Sequence, residues 1–210
     1  MDNERWNSRY QGRELVWTAT PNQFLVAEVD SLVPGRALDL GCGEGRNAVW
    51  LAEQGWAVTA VDFSDVGISK GREMAEKRGV EVTWVVEDLN RYQPAEQSFD
   101  LVIIFYIHIP PDQQRALLRK ASEAVAAGGT LLVVGHDLTN LQDGYGGPQD
   151  PDLLITPDFV VAALVDLEVV TSTRVRRTVQ NEMGSFQAID TLVRAGREPE
   201  PEITTGTVGG

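Results

Sequence analysis

Cysteine is almost missing from this chain of 210 residues: Cys42 stands alone. One thiol excludes an internal disulfide and any cysteine-cluster metal site, and no metal centre is expected. Positive charge is also short, with 18 Lys and Arg against 31 Asp and Glu and a net charge of −13. That balance repels phosphate backbones and anionic headgroups, so neither nucleic acid nor membrane is expected as a partner. Long apolar runs are absent. The longest, Leu101–Ile107, falls far short of the roughly 20 residues that a membrane-spanning helix needs. Met1–Tyr10 is polar and charged, unlike the core of a signal peptide. These absences predict a soluble, cytoplasmic protein, and the missing disulfide framework is compatible with a reducing compartment.

What is present suits one ordinary domain. Hydrophobic residues make up 42% of the chain, enough for a packed core. Short β-branched runs at Arg36–Leu40, Ala57–Asp62, Val82–Val86, Phe99–Ile107 and Gly129–Val134 read as strands. Between them, Arg46–Gln54, Ser64–Arg78 and Asp112–Ala126 read as helices. Such alternation implies a doubly wound α/β fold with a parallel sheet and right-handed crossovers. Leu101–Ile107 is apolar without alternation, as a central strand covered on both faces should be. Ahead of the first strand, Thr20-Pro21-Asn22-Gln23 predicts a helix start capped by Thr20, with Gln23 reaching back. A short helix near Pro157–Leu164 and two strands near Glu168–Arg177 and Ser185–Arg194 complete a domain over residues 1–197. Residues 1–32 form an N-terminal helical segment, and 198–210, with two Pro-Glu pairs and few apolar residues, are expected to be a disordered tail. His136–Pro157, rich in Gly, Pro and Asp, is a long irregular connection of the functional or mobile kind.

The most informative stretch is Asp39-Leu40-Gly41-Cys42-Gly43-Glu44-Gly45-Arg46-Asn47. A buried strand runs into three glycines and then a helix, at the sheet edge where doubly wound folds bind ligands. The spacing is G-x-G-x-G. Arg46 stands where a dinucleotide fingerprint has its third glycine, and no G-K-[ST] of a Walker loop follows. Asp62 closes the second strand 23 positions after Asp39, near the distance at which an acid accepts from ribose hydroxyls. Asp88 follows the third strand, where a carboxylate can accept from an adenine amine. Each acid alone also reads as an ordinary loop residue; three elements at three successive strand ends point to a nucleotide-like ligand.

These motifs, with Val61-Asp62-Phe63-Ser64, Glu87-Asp88-Leu89-Asn90 and Phe99-Asp100-Leu101-Val102, resemble the class I S-adenosylmethionine-dependent methyltransferases over Val33–Val134. Gly45-Arg46-Asn47 with Glu87-Asp88-Leu89-Asn90 is most similar to the branch holding the tellurite-resistance and thiopurine methyltransferases. The resemblance implies a Rossmann-like, mostly parallel seven-stranded sheet with helices on both faces and an antiparallel last strand. It implies S-adenosylmethionine as cofactor, S-adenosylhomocysteine as product, and a small-molecule acceptor: a thiol, a chalcogen oxyanion, a phenol or an amine. Carried over by position, Gly41 and Gly43 contact the methionyl part, Asp39 its amino group, Asp62 the ribose and Phe63 the adenine face. Asp88 and the Leu89 amide hold the adenine edge, and Phe105 stands near the reactive end. Arg9 and Trp17 are candidates for a lid, Arg9 on the methionyl carboxylate and Trp17 facing the acceptor, or equally for packing against the sheet edge.

Methyl transfer from a sulfonium needs alignment and water exclusion, and for a phenol or amine also a base. His108 and His136, each at the end of a strand on the ligand side, are the two candidates; each also reads as a loop histidine bonded to a carbonyl. Asp100, at the opposite end of its strand, reads as structural, Glu44 as a solvated or local helix-start charge, and Cys42 as a loop residue rather than a nucleophile. Arg174, Arg176 and Arg177 read as a solvated strand face. Two other classes stay open: a non-enzymatic S-adenosylmethionine sensor or regulatory subunit, and an NAD-dependent oxidoreductase, which Arg46 disfavours. The oligomeric state is not readable.

Overall fold

The computed structural model describes residues 3–12, 15–16 and 18–200. Five parallel strands come first: β1 (Arg36–Leu40), β2 (Ala57–Asp62), β3 (Val82–Val86), β4 (Phe99–Phe105) and β5 (Val125–His136). Strands β6 (Glu168–Asn181) and β7 (Gly184–Gly196) form a hairpin, and β7 enters antiparallel beside β5. The seven-stranded order is β3-β2-β1-β4-β5-β7-β6. The first three parallel strands have the bounds expected from their β-branched runs. β4 stops two residues early and β5 starts four residues early, drawing its first turn from the end of the preceding helix.

Helices α1 (Asn3–Tyr10), α2 (Gln23–Val29), α3 (Arg46–Glu53), α4 (Asp65–Arg78), α5 (Pro111–Ala124), α6 (Asn140–Asp143) and α7 (Pro157–Val161), with one 3-10 turn at Pro151–Leu153, complete the described elements. Alternation along the strands builds two cores. Leu38, Leu40, Val102 and Ile104 pack with Leu117, Leu118 and Ala121 of α5 on one face. Ala37, Leu101, Ile103 and Phe105 pack with Leu25 and Val29 of α2 and Ala48 and Leu51 of α3 on the other. Burial on both faces is why β4 reads as continuously apolar.

One local expectation is corrected and another is met. α2 is capped by Asn22, whose Oδ1 accepts the Phe24 N–H at 2.9 Å, and not by Thr20. Asn22 is the better cap because its backbone N–H is also held, by Asn47 Oδ1 at 3.0 Å, which anchors the helix start to α3. Asp100 is structural as expected: it accepts from the Arg36 backbone N–H at 2.7 Å and from its guanidinium, which holds the Asp100 carboxyl below its ordinary range.

Trp84 of β3 lies against Gly45 and Gly71, so α4 packs close to the sheet only because both positions lack a side chain. A Cβ on Gly71 would stand 2.5 Å from Trp84 Cη2 and 3.3 Å from the Glu44 carbonyl oxygen. Gly71→Ala gains up to about 1 kcal/mol of helix propensity, but overpacking of this kind costs roughly 1–3 kcal/mol. A lowered urea midpoint with an unchanged m-value is therefore expected. A raised midpoint would mean that Trp84 yields freely.

Candidate active site

The carboxyl ends of β1, β2, β4 and β5 meet at a cavity of about 530 Å³. The glycine turn leaving β1 forms its floor. Gly41 and Cys42 both donate their N–H to the Val61 carbonyl, at 2.8 and 3.1 Å, which prolongs the β1–β2 ladder past the end of β1. Gly41 has φ +79° and its missing Cβ would run into Ile107, so glycine is required there twice over. The Gly43 N–H donates to Asp62 Oδ2 at 2.8 Å, and the Ser64 N–H donates to Asp62 Oδ1 at 2.8 Å. Asp62 is thus a clamp between the glycine turn and the start of α4. Its burial pushes the carboxyl up and the backbone donors pull it back.

Asp39 lines the same cavity from β1, 1% exposed, and its Oδ2 has no hydrogen-bond partner. Burial first, then the nearby Asp62 charge, push its carboxyl up to about 7; Arg46 and the Ala48 N–H act against them. Phe63 and Phe105 also line the cavity. Cys42 does too, but burial and the two aspartates push its thiol up, away from a reactive thiolate. Asp88 and Leu89 are not part of this wall. Asp88 Oδ1 accepts the Asn90 N–H at 2.8 Å just past β3, and the Leu89 side chain is buried in the core.

Glu44, expected to be solvated, is 2% exposed. Its Oε1 accepts from Lys70 Nζ at 2.8 Å and from the Val16 N–H at 3.2 Å, which ties α4 and the N-terminal segment to the glycine turn. That segment covers the cavity. Trp6 and Tyr10 line it, and the Asn7 side chain binds Ser64 Oγ and Asp65. Arg9 is exposed with its guanidinium 5.1 Å from the Trp6 ring centroid, outside the cavity wall. Trp17 lies outside the described residues.

The other end of the cavity is polar and was largely missed in the sequence. Tyr106 follows β4 in the left-handed region, φ +55°, which turns its side chain into the wall. Its hydroxyl donates to Asp190 Oδ2 at 2.8 Å and accepts from Arg177 Nε at 3.1 Å. Burial and the Asp190 charge push the phenol well above its ordinary range, so it stays a donor. Arg177 Nε also reaches Asp190 Oδ2 at 2.9 Å. The strand face expected to be solvated therefore supplies an inward arginine, while Arg176 alone of the three is exposed without an ion pair. His136, the last residue of β5, and His108 both line the cavity, stacked with centroids 5.5 Å apart and planes within 8°. A visible signal existed for one missed residue: Asp190 is a lone acid in the apolar run Ala188–Leu192.

His108 Nε2 is buried without a partner. Burial, followed by the His136 and Arg9 charges, holds its imidazole down at about 4. Between about 6.5 and about 4 the unfolded chain takes up this proton and the folded chain does not, so the group lowers stability as pH falls through that window. The full effect is on the order of 3 kcal/mol. Asp39, held protonated up to about 7, works in the opposite direction. His108→Asn removes only the first contribution and should lose less thermal stability than the parent between pH 7 and 5. An identical loss in both proteins would contradict a buried neutral His108.

Residues 37–129 match a family model described as a methyltransferase domain. Over that stretch the chain is similar to methyltransferase domains. Over 134 residues it is 30% identical to thiocyanate methyltransferase 1 of Arabidopsis thaliana, covering 62% of this chain and 57% of that protein. It is 26% identical over 103 residues to the probable S-adenosyl-L-methionine-dependent methyltransferase TehB of Haemophilus influenzae, covering 48% of this chain and 36% of TehB. The chain therefore spans less than two thirds of the length of these curated relatives. A solved structure described as "Conversion of a Disulfide Bond into a Thioacetal Group during Echinomycin Biosynthesis" shares the fold, with TM-score 0.74 and 22% identity over 95% of this chain and 94% of its own. The mixed seven-stranded sheet is thus a methyltransferase fold with its last strands antiparallel. Among the described residues no helix is long and apolar enough to cross a membrane, and no cluster of His, Cys, Asp and Glu is placed to hold a metal ion.

Proposed function

We propose that this protein transfers the methyl group of S-adenosylmethionine to a small-molecule acceptor. What supports this most is Asp39: a buried carboxylate oxygen without a partner, beside a bare glycine turn, facing a cavity. Leaving such an oxygen unpaired costs about 1–3 kcal/mol, and a ligand ammonium group beside it removes that penalty. The residues present fit the cofactor. Asp39, Gly41 and Gly43 would hold its methionyl part, Asp62 the ribose through its remaining lone pairs, and Phe63 the adenine face. Asp88 and Leu89 would meet the adenine edge from outside the main cavity wall, and Phe105 would border the reactive end. Arg9 would reach the methionyl carboxylate only by leaving its place over Trp6; the role of Trp17 as a lid residue stays part of the proposal.

When bound, S-adenosylmethionine supplies a methyl carbon already activated by its sulfonium. The chain has to align the acceptor and keep water out. Trp6 and Tyr10 close one side of the cavity, while His108, His136 and Tyr106 line the acceptor end. A thiol, a chalcogen oxyanion, a phenol or an amine are the acceptor classes proposed.

Calorimetric titration with S-adenosylmethionine, S-adenosylhomocysteine and NAD in parallel tests this. Binding of both adenosyl ligands and none of NAD is expected; binding of NAD alone overturns it. Asp39→Asn should weaken S-adenosylhomocysteine binding about tenfold or more, since a charge-assisted bond contributes about 1.5–3 kcal/mol. In the parent, Asp39 must shed its proton to receive the ammonium, so affinity should fall as pH drops through about 7. That dependence should vanish in Asp39→Asn.

A further inference from the structure

We infer that His136 is the base that takes the acceptor's proton, held in its working tautomer by Asp190, so that the acceptor is a thiol, phenol or amine bearing a dissociable proton. This rests on the methyltransferase reading above. His136 and Asp190 sit directly opposite each other across the β5–β7 ladder, so strand pairing brings them together before any side chain is placed. His136 Nδ1 lies 3.0 Å from Asp190 Oδ1. Both atoms are buried and neither makes a hydrogen bond elsewhere; the two stand at bonding distance as an ion-pair contact, without the alignment of a formed hydrogen bond. Buried polar atoms do not stay unpaired when a partner stands at bonding distance, so each belongs to the other.

The chemistry of the pair follows from its neighbours. Asp190 Oδ2 already accepts from the Tyr106 hydroxyl and from Arg177 Nε. Against burial, the contact with His136, then the Arg177 charge and the bonds from Arg177 and Tyr106, hold the Asp190 carboxyl below its ordinary range. An ionised carboxylate only accepts, so the hydrogen between them belongs to His136 Nδ1, and in the neutral ring this tautomer leaves the lone pair on Nε2. The ring lines the cavity, and its Cδ2–Nε2 edge runs along Gly147. A Cβ at position 147 would come within 2.7 Å of Cδ2, 2.9 Å of Cγ and 3.0 Å of Nε2, so glycine there leaves the ring uncrowded. His108 stacks on the other side as a neutral ring, its own Nε2 sealed.

In the step assigned, the acceptor's S–H, O–H or N–H bond gives its proton to His136 Nε2. The electron pair left on the heteroatom forms the new bond to the methyl carbon. The carbon–sulfur bond of the sulfonium breaks and its pair returns to sulfur, giving S-adenosylhomocysteine. The imidazolium then returns its proton to water. Asp190, Tyr106 and Arg177 touch no reacting atom and act as positioning residues. An acceptor arriving as a chalcogen oxyanion has no proton to lose and does not need this array.

The chain has only two histidines, which allows a direct test. Nitrogen-15 NMR of the full chain near neutral pH, assigned with His108→Asn, should show the His136 proton on Nδ1. In Asp190→Asn, the Tyr106 and Arg177 donors claim the amide oxygen, the NH₂ group faces His136 Nδ1, and the proton should move to Nε2. A proton on Nε2 in the parent, or no change in Asp190→Asn, overturns the inference. As a second readout, methyl transfer to thiophenol and to catechol should fall about 100-fold or more in His136→Asn, with S-adenosylhomocysteine affinity retained. Unchanged turnover in that variant also overturns it. Failure of the parent to bind S-adenosylhomocysteine would instead sink the methyltransferase reading, while the tautomer measurement still decides the geometry.

Discussion

The carboxylate of Asp62 is the joint on which the rest of the site depends. One oxygen holds the Gly43 N–H and the other the Ser64 N–H, so a single side chain ties the glycine turn to the N-terminus of α4. Ser64, placed by that bond, caps α4 by accepting the Gly67 N–H at 3.0 Å and donates to the Asn7 side chain. The covering helix α1 is therefore positioned through Asp62, by way of Ser64. Burying a charge is unfavourable, and a second acid, Asp39, lies near enough for the Asp62 charge to oppose its ionisation. Backbone donors offset the cost for Asp62, which leaves Asp39 as the under-satisfied member. A clamp and an acceptor with an unpaired oxygen thus come from two neighbouring aspartates, set apart chiefly by the backbone N–H groups that reach them.

The two ends of the cavity are made by different kinds of pairing. The end with the glycine turn uses parallel strands, whose carboxyl ends all face one edge, so residues far apart in sequence converge there. The far end uses the antiparallel entry of β7, which sets His136 opposite Asp190 and brings Arg177 in from β6. Tyr106 links the two: it ends a parallel strand, bends into the left-handed region and bonds to Asp190, Arg177 and, at 3.5 Å, Asn22 before α2. A second buried acid nearby shows what a purely structural role looks like. Asp137 takes bonds from Thr139, Thr191 and Arg174, with both oxygens occupied.

The parallel half was legible because its signals are local. A strand, a glycine turn and an acid at the next strand end follow one another within a few dozen residues. Continuous apolar β4 announces its own burial. The far end was not legible, because its contacts join residues with no common periodicity: Tyr106 to Asp190 spans 84 positions. Nor does residue type reveal burial of a charge. Glu44 reads as a surface acid until Lys70, 26 positions away, is seen to neutralise it. Thr20 and Asn22 are both competent caps, and the choice fell to a tertiary bond from Asn47. His108 and His136 were visible as candidates, yet only the ladder register distinguishes a ring braced by a carboxylate from one sealed beside it.

The family match ends at residue 129, whereas His136, Gly147, Arg177 and Asp190 all lie beyond it. The matched stretch builds the glycine turn and its acids; most of the polar far end of the cavity is built by the stretch after it. Relatives sharing the first need not share the second, since a hairpin can change its inward residues without disturbing the parallel sheet. This is also why net charge is a poor guide to the acceptor. The chain carries −13 overall, but at the far end of the cavity Arg177 offsets Asp190 at close range, and bonds of about 3 Å in a buried setting outweigh a diffuse surface charge screened by salt. The character of that end therefore rests on a handful of side chains on β5, β6 and β7, set beside the glycine turn that the parallel half builds.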